Sequence, residues 1–229
     1  LAFRGTGGAL HSEFLDCLTR EEMLGGVRKL GMPVRNNAVV CESREERAVW
    51  KDYCLYGLLH RGRNLVDWMA EHPPDEFSLR IGLLLSLLGQ SRYTVFEIED
   101  AVPGVGVFAV DKFYDAMRVF IADVGMSRTG KEGALFAGRL IPQYGFYATT
   151  GAALPVAPEM LDSIRQIVES IIPSGAPDET ITITRSNEAE FSAGITQLLL
   201  KAGMSSKIEY KAEDSWDEES PEDDSETFD

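Results

Sequence analysis

Between Ser91 and Val156 the chain changes period. Five short runs rich in β-branched and aromatic residues follow one another: "RYTVFEIED", "GVFAVD", "AMRVFIADVG", "GALFAGRLIPQY" and "GFYATTGAALPV". In the first, Tyr93, Val95 and Glu97 fall on one face and Thr94, Phe96 and Ile98 on the other. That is the alternation of a half-buried strand. Turn residues separate the runs, and no helical pattern is read between them. Strands this close in sequence are expected to pair antiparallel, because a parallel pair needs a long crossover. A small barrel or strongly curved sheet removes the edges that five such strands would otherwise expose.

Helical periodicity lies on both sides. Residues 10–30 read as a helix, with Thr19 and Glu22 at capping-box spacing and Met23, Val27 and Leu30 on one face. Ser43 and Glu46 open a second helix rich in aromatics, and a shorter one follows over 64–71. "DEFSLRIGLLLSLLG" is apolar nearly all round and is expected to be the most buried helix of the first half. After the β region, "APEMLDSIRQIVESII" and "EAEFSAGITQLLLKAGM" carry helical stripes, the second opened by Asn187 and Glu190, and "TITIT" reads as a short strand. The expected fold is therefore α+β: a helical region over 1–90, an antiparallel β region over 91–156, and helices over 157–204 that pack back on the rest. An acidic, disordered tail is expected over 205–229.

The segment "VPGVGVFA" contains Gly104, Gly106 and Ala109 at G-x-G-x-x-A spacing. A dinucleotide fingerprint needs a helix after the glycines to receive the pyrophosphate. Here Val107, Phe108, Ala109 and Val110 follow, which favour a strand. The segment reads as strand–turn–strand, with Pro103 and Gly104 in the turn. Gly125, Gly130 and Lys131 match a P-loop except at its end, where Glu132 stands in place of a hydroxyl residue and would repel phosphate.

Residues 93–156 resemble the central β region of bacterial SEC-C-associated proteins. The matching positions are Pro103, Gly104, Gly106 and Asp111, then Gly133, Leu135, Phe136 and Arg139. That family takes its name from a short Cys-rich zinc-binding segment found also at the end of the Sec translocase motor. This chain has three cysteines, Cys17, Cys41 and Cys54, far apart in sequence. The resemblance implies the β fold and does not carry the zinc site.

An odd count of widely spaced cysteines argues against a disulfide framework and for a reducing cytoplasm. The opening residues lack a charged segment followed by a long apolar stretch, so no secretory signal is read there. The formal net charge is −15, and residues 212–229 supply ten acidic and no basic side chains, leaving −5 on the rest. Acidic surfaces repel phosphate backbones, so nucleic acid is not an expected partner, and neither is a membrane. No metal or cofactor is expected.

His11, His60 and His72 are far apart in sequence, and no G-x-S-x-G elbow is present. Cys41 precedes a helix start, a place that lowers a thiol pKa, but an inert buried cysteine is the simpler reading. Glu97, Glu99 and Asp100, with Asp111 and Asp115, offer oxygen ligands for a cation or a solvated strand edge. Arg128, Lys131 and Arg139 offer charge for an anion. Phe113, Tyr114, Phe146 and Tyr147 would stack bases if they faced outward, but they are expected in the core. The first functional reading is a non-enzymatic interaction or accessory protein that meets another protein through its acidic tail, with Trp216 and Phe228 as anchors. The alternative is an enzyme or small-ligand binder with a site between the β region and the helices, built from Glu97, Arg139, Tyr144 and His60.

Overall fold

A computed structural model describes residues 11–73, 79–114, 116–171 and 183–207. Its architecture is α+β, with helices before and after a five-stranded barrel.

Residues 11–15 belong to a first helix, α1, and α2 spans Arg20–Lys29. The expected continuous helix over 10–30 is thus two pieces. The break comes from the cap itself. Thr19 Oγ1 accepts from the Glu22 amide at 3.2 Å, and Glu22 Oε2 accepts from the Thr19 amide at 2.7 Å. That reciprocal pair fixes a helix start and forces extended backbone at Thr19. Gly26 stays inside α2, where it lets Cys54 and Leu58 approach the helix backbone. A hairpin follows, β1 (Val34–Arg35) with β2 (Ala38–Val39). Asn36 and Asn37 form its turn, both with positive φ, a short-range signal that asparagine pairs give and that the strand patterns did not include. Helix α3 (Arg44–Tyr56) is capped by Ser43, α4 (Leu65–Glu71) by Asn64, and α5 covers Leu79–Gly89.

Helix α5 is not the most buried helix of this half. Leu84, Leu85 and Leu88 face inward, while Leu83 is 51% exposed. Helix α3 buries more, with Val49, Asp52, Tyr53, Cys54, Leu55 and Tyr56 all inside. An all-round apolar pattern reports what a helix tolerates; the neighbours decide what it buries.

The barrel strands are β3 (Arg92–Val102), β4 (Gly106–Asp111), β5 (Arg118–Ile121), β6 (Leu135–Pro142) and β7 (Tyr147–Thr149). They follow the order β3-β4-β5-β7-β6, and β6 pairs again with β3 to close the ring. An eighth strand, β8 (Leu154–Val156), pairs with β6 beside β7. Pro103 and Gly104 (φ 76°) make the β3–β4 turn, closed by the Val105 amide on the Val102 carbonyl at 3.0 Å. A register shift between Ile98 and Asp100 leaves Glu99 as a bulge, which bends the long β3 so that one strand serves both sides of the barrel.

Two features depart from an all-antiparallel region without helices. Strand β5 runs parallel to β7, and the helix α6 (Val124–Thr129) lies between β5 and β6. The parallel contact follows from ring closure with this strand order. Asp123 caps α6 through its carboxylate on the Met126 amide at 3.0 Å. Six residues are too few for a helical stripe, so only its first two, Val124 and Gly125, are read, as the end of the β run "AMRVFIADVG". The G-x-x-x-x-G-K stretch is this helix, which seals one barrel end with Met126 against Ile98 and its neighbours.

Phe96, Ile98, Val107, Ala109, Val119, Ile121 and Leu140 fill the barrel. The other end is closed by Asp111, fully buried. It accepts from the Thr94 hydroxyl at 2.5 Å, the Phe113 and Tyr114 amides at 3.0 and 3.2 Å, and Arg92 Nε at 3.2 Å. The C-terminal helices α7 (Leu161–Ile171) and α8 (Glu188–Lys201) cover the outside of β3, β6 and β8. Tyr93 and Val95 on β3 there meet Ile164, Val168, Phe191, Ile195 and Leu199. The packed chain continues past residue 204, where Met204–Lys207 form a 3₁₀ turn and the Ser205 hydroxyl donates to Glu46 at 3.2 Å. Most of "TITIT" and residues 208–229, with Trp216 and Phe228, lie outside the described residues.

Candidate functional site

Among the described residues, α7 and α8 cover the outside of β3, β6 and β8 and leave the outer faces of β4 and β5 partly exposed. On β4 and β5, Val107, Ala109, Val119 and Ile121 point in, so Phe108, Val110, Arg118 and Phe120 point out. Phe108 stands opposite Phe120, ring centroids 4.9 Å apart, and the Arg118 guanidinium lies 4.6 Å over the Phe108 ring. Arg118 also pairs with Glu99 at 2.6 Å. Asp100 faces Phe108 across the β3–β4 ladder, and Glu97 faces Val110. The wall is therefore a half-buried aromatic pair with one stacked cation and a row of three carboxylates along its edge. Val105, at the adjoining turn, is 51% exposed. Alternation in "GVFAVD" and "RVFI" already marks Phe108 and Phe120 as outward; the pairing of the two strands is what places them side by side.

The second polar assembly is buried. Arg139 is 2% exposed and holds two carboxylates, Asp52 on α3 at 3.2 Å and Glu188 on α8 at 2.7 Å. Its guanidinium lies 4.0 Å over the Tyr56 ring. Glu188 also accepts from the Tyr93 amide at 2.6 Å and from Arg185 at 3.1 Å, and Arg185 reaches Asp67 at 2.8 Å. The result is a relay of alternating charge, Asp52–Arg139–Glu188–Arg185–Asp67, joining three helices to the barrel. Burial alone would lower the Arg139 pKa, but Asp52 and Glu188 reverse that and raise it, so Arg139 stays charged. Asp52 had a sequence signal. It shares a face with Val49 and Tyr56, which puts one carboxylate in an apolar stripe.

The relay ends at two cavities. Arg185 and Asp67 line an open cleft of about 650 Å³, with Tyr53, Arg63, Glu71 and Glu190. Asp52 lines a smaller cavity of about 200 Å³, with His11, Lys51 and Thr150. Here burial lowers the His11 pKa.

The four residues proposed for a site between the β region and the helices do not come together. Arg139 is inside the relay, which also takes it away from any anion bound at the exposed Arg128 and Lys131. Glu97 pairs with Lys112, the residue after β4. Tyr144 is 87% exposed in the β6–β7 turn. His60 is buried and bonds Glu22 at 2.8 Å, with its ring edge-on to Trp68. The carboxylates Glu97, Glu99 and Asp111 hold Lys112, Arg118 and Arg92 in turn, and among the described residues no group of three or more His, Cys, Asp or Glu side chains is placed to hold a metal. Phe113 packs on Phe191 at 5.4 Å, and Tyr114 and Tyr147 stack on Arg92, so these three serve the interior; Phe146 is 38% exposed. Burial and Glu46 raise the Cys41 thiol, and burial pushes Cys54 up to about 12. A helix start does not lower the Cys41 thiol pKa here.

Fold and site together define a helix-flanked, closed five-stranded barrel with one open aromatic wall. The chain belongs to a family of unknown function, DUF7986, whose model matches residues 2–179, from the N-terminal helices through the barrel to α7. That match does not link the chain to the SEC-C-associated proteins. No curated protein and no solved structure matches the chain. Among the described residues no helix is long and apolar enough to cross a membrane.

Proposed function

We propose that the protein is a non-enzymatic binding module that takes an extended, basic peptide segment of a partner protein on the outer wall of β4 and β5. The observation that carries this is the half-buried Phe108–Phe120 pair, with Arg118 over the Phe108 ring, on the barrel wall that α7 and α8 do not cover. Aromatic side chains that stay accessible in this way are typical anchors of interfaces. The strand order, with a parallel third and fifth strand and a helix between the third and fourth, is the connectivity of the OB-fold. Barrels of that kind take ligands on their second and third strands, which here are β4 and β5. Fold analogy alone does not assign a function; the residues on the wall carry the reading. Glu97 and Glu99 are already paired with Lys112 and Arg118, so it is Asp100 beside the aromatic pair and the net charge of −15 that favour a basic partner and disfavour a phosphate backbone. The acidic tail, with Trp216 and Phe228, supplies a second contact of the same charge preference.

Peptide display against the full chain and against the double variant F108A/F120A tests the proposal, with a dT oligonucleotide as comparator. The full chain should select peptides carrying apolar and basic residues, and the double variant should bind them at least about tenfold more weakly. Equal binding by the variant refutes the proposed wall. Tighter binding of the oligonucleotide than of any selected peptide refutes the peptide reading. Truncation after Tyr210 should weaken binding further.

A further inference from the structure

We propose that the 200 Å³ cavity between α1, α3 and the residue after β7 binds a small primary ammonium compound with a short apolar body. The site is separate from the β4–β5 wall, so the two readings fail independently.

Asp52 is 7% exposed and uses Oδ2 on Arg139, while its Oδ1 is buried with no hydrogen-bond partner. Thr150 Oγ1, across the same cavity, is also buried without one. Buried polar atoms are nearly always paired, and an orphaned carboxylate oxygen is among the most costly exceptions. Every other carboxylate oxygen of the relay has a donor. Glu188 Oε1 accepts from Tyr93 and Arg139 and its Oε2 from Arg185; Asp67 Oδ1 accepts from Arg185 and its Oδ2 from Asn64 and Arg185. The relay has three carboxylates and two guanidiniums, so it carries one surplus negative charge, and Asp52, which holds the single unused oxygen, is the relay member that lines the cavity.

The remaining lining sets the ligand's shape. Leu15, Ala48 and Leu55 give an apolar side. His11 bonds the Tyr56 hydroxyl through Nε2 at 3.4 Å, and burial lowers its pKa, which disfavours a second cation beside Asp52. Lys51 stands exposed at the rim. The volume is below that of drug-sized pockets. An ammonium group offers three N–H donors, enough for Asp52 Oδ1 and Thr150 Oγ1 together. The same chemistry belongs to a simple alkylamine and to a small aliphatic amino acid, whose carboxylate would meet Lys51.

Calorimetric titration of the full chain with isobutylammonium chloride, L-valine and isobutanol separates these. The proposal expects saturable binding of at least one ammonium probe and none of isobutanol. Binding of valine alone, weakened in K51A, identifies the amino-acid form; binding of both ammonium probes makes the ammonium group sufficient. T150V keeps the shape of the side chain and removes the hydroxyl. It should melt at or above the wild-type temperature and bind about tenfold more weakly. Absence of saturable binding by either ammonium probe at millimolar concentration overturns the proposal. So does a T150V variant that binds as well as the wild type, or isobutanol binding equal to that of isobutylammonium.

Discussion

Replacing Arg139 by methionine should be one of the most damaging single changes in the protein. The substitution keeps much of the volume and leaves Asp52 and Glu188 facing a side chain that can neither pair nor donate. Both carboxylates are buried, at 7% and 6% exposure, and their partner is 2% exposed. Exposed ion pairs contribute little, but removing one member of a buried pair strands a charge in a low-dielectric interior, which costs about 3–5 kcal/mol. The Tyr56 ring loses its cation as well, for about 1 kcal/mol more. For a chain of this length, about 3–5 kcal/mol corresponds to a melting temperature lower by roughly 6–20 °C. Urea unfolding followed by circular dichroism measures the difference. A companion variant, R139M/D52L/E188L, removes Arg139 together with both carboxylates it holds and leaves the Arg185–Asp67 pair in place; it should recover part of the loss, because removing a buried cation with its partners is tolerated far better than removing the cation alone. A loss below about 1 kcal/mol for R139M would mean that water reaches the carboxylates and that the relay is not a dry core element.

Three further outcomes follow from the same geometry. At Gly106 an added Cβ would overlap the Ile121 carbonyl oxygen, so G106A should cost about 3 kcal/mol or more in urea unfolding, whereas Gly104 has open space and a φ of 76°, so G104A should cost about 1–2 kcal/mol. Cys17 is exposed, but Cys54 is buried with its thiol pushed up to about 12, so a thiol reagent at pH 8 should label Cys17 quickly and Cys54 only after denaturant is added. Burial lowers the His11 pKa below 6.5; the unfolded chain then binds this proton more readily than the folded one, so stability present above pH 6.5 should fall as the pH drops through the folded-state pKa, and the H11Q variant should lose that part of the slope in acid unfolding curves.

The layers of the fold were legible because each depends on local patterns. Alternation in "YTVFEI" puts Phe96 and Ile98 on one face and Tyr93 and Val95 on the other; the structure turns the first pair into the barrel and also buries the second, under the C-terminal helices, where alternation alone reads as a half-buried strand. The cap at Thr19 and the turn at Pro103–Gly104 are short-range chemistry, and they stand where the residues put them. Topology is a different matter. Nothing local distinguishes a further strand residue from the first turn of α6, and nothing local says that β5 will lie parallel to β7.

The polar sites were harder to read for a sharper reason. A charge in a sequence is read as solvated, since that is where most charges are. Glu97 and Tyr144 obey that prior; Arg139 does not. Its partners lie 87 and 49 residues away along the chain, so no spacing rule connects them. What the sequence does contain is the contradiction each buried member creates in its own element: Asp52 in the apolar stripe of α3, Arg139 inside the run "AGRLI" of a covered strand. A single such residue cannot be assigned a role, because an isolated buried charge has no stable structure. Two or more of opposite sign, each on the apolar face of its own element, can be stable only if those faces meet. Asp52 and Arg139 therefore require a contact between α3 and β6.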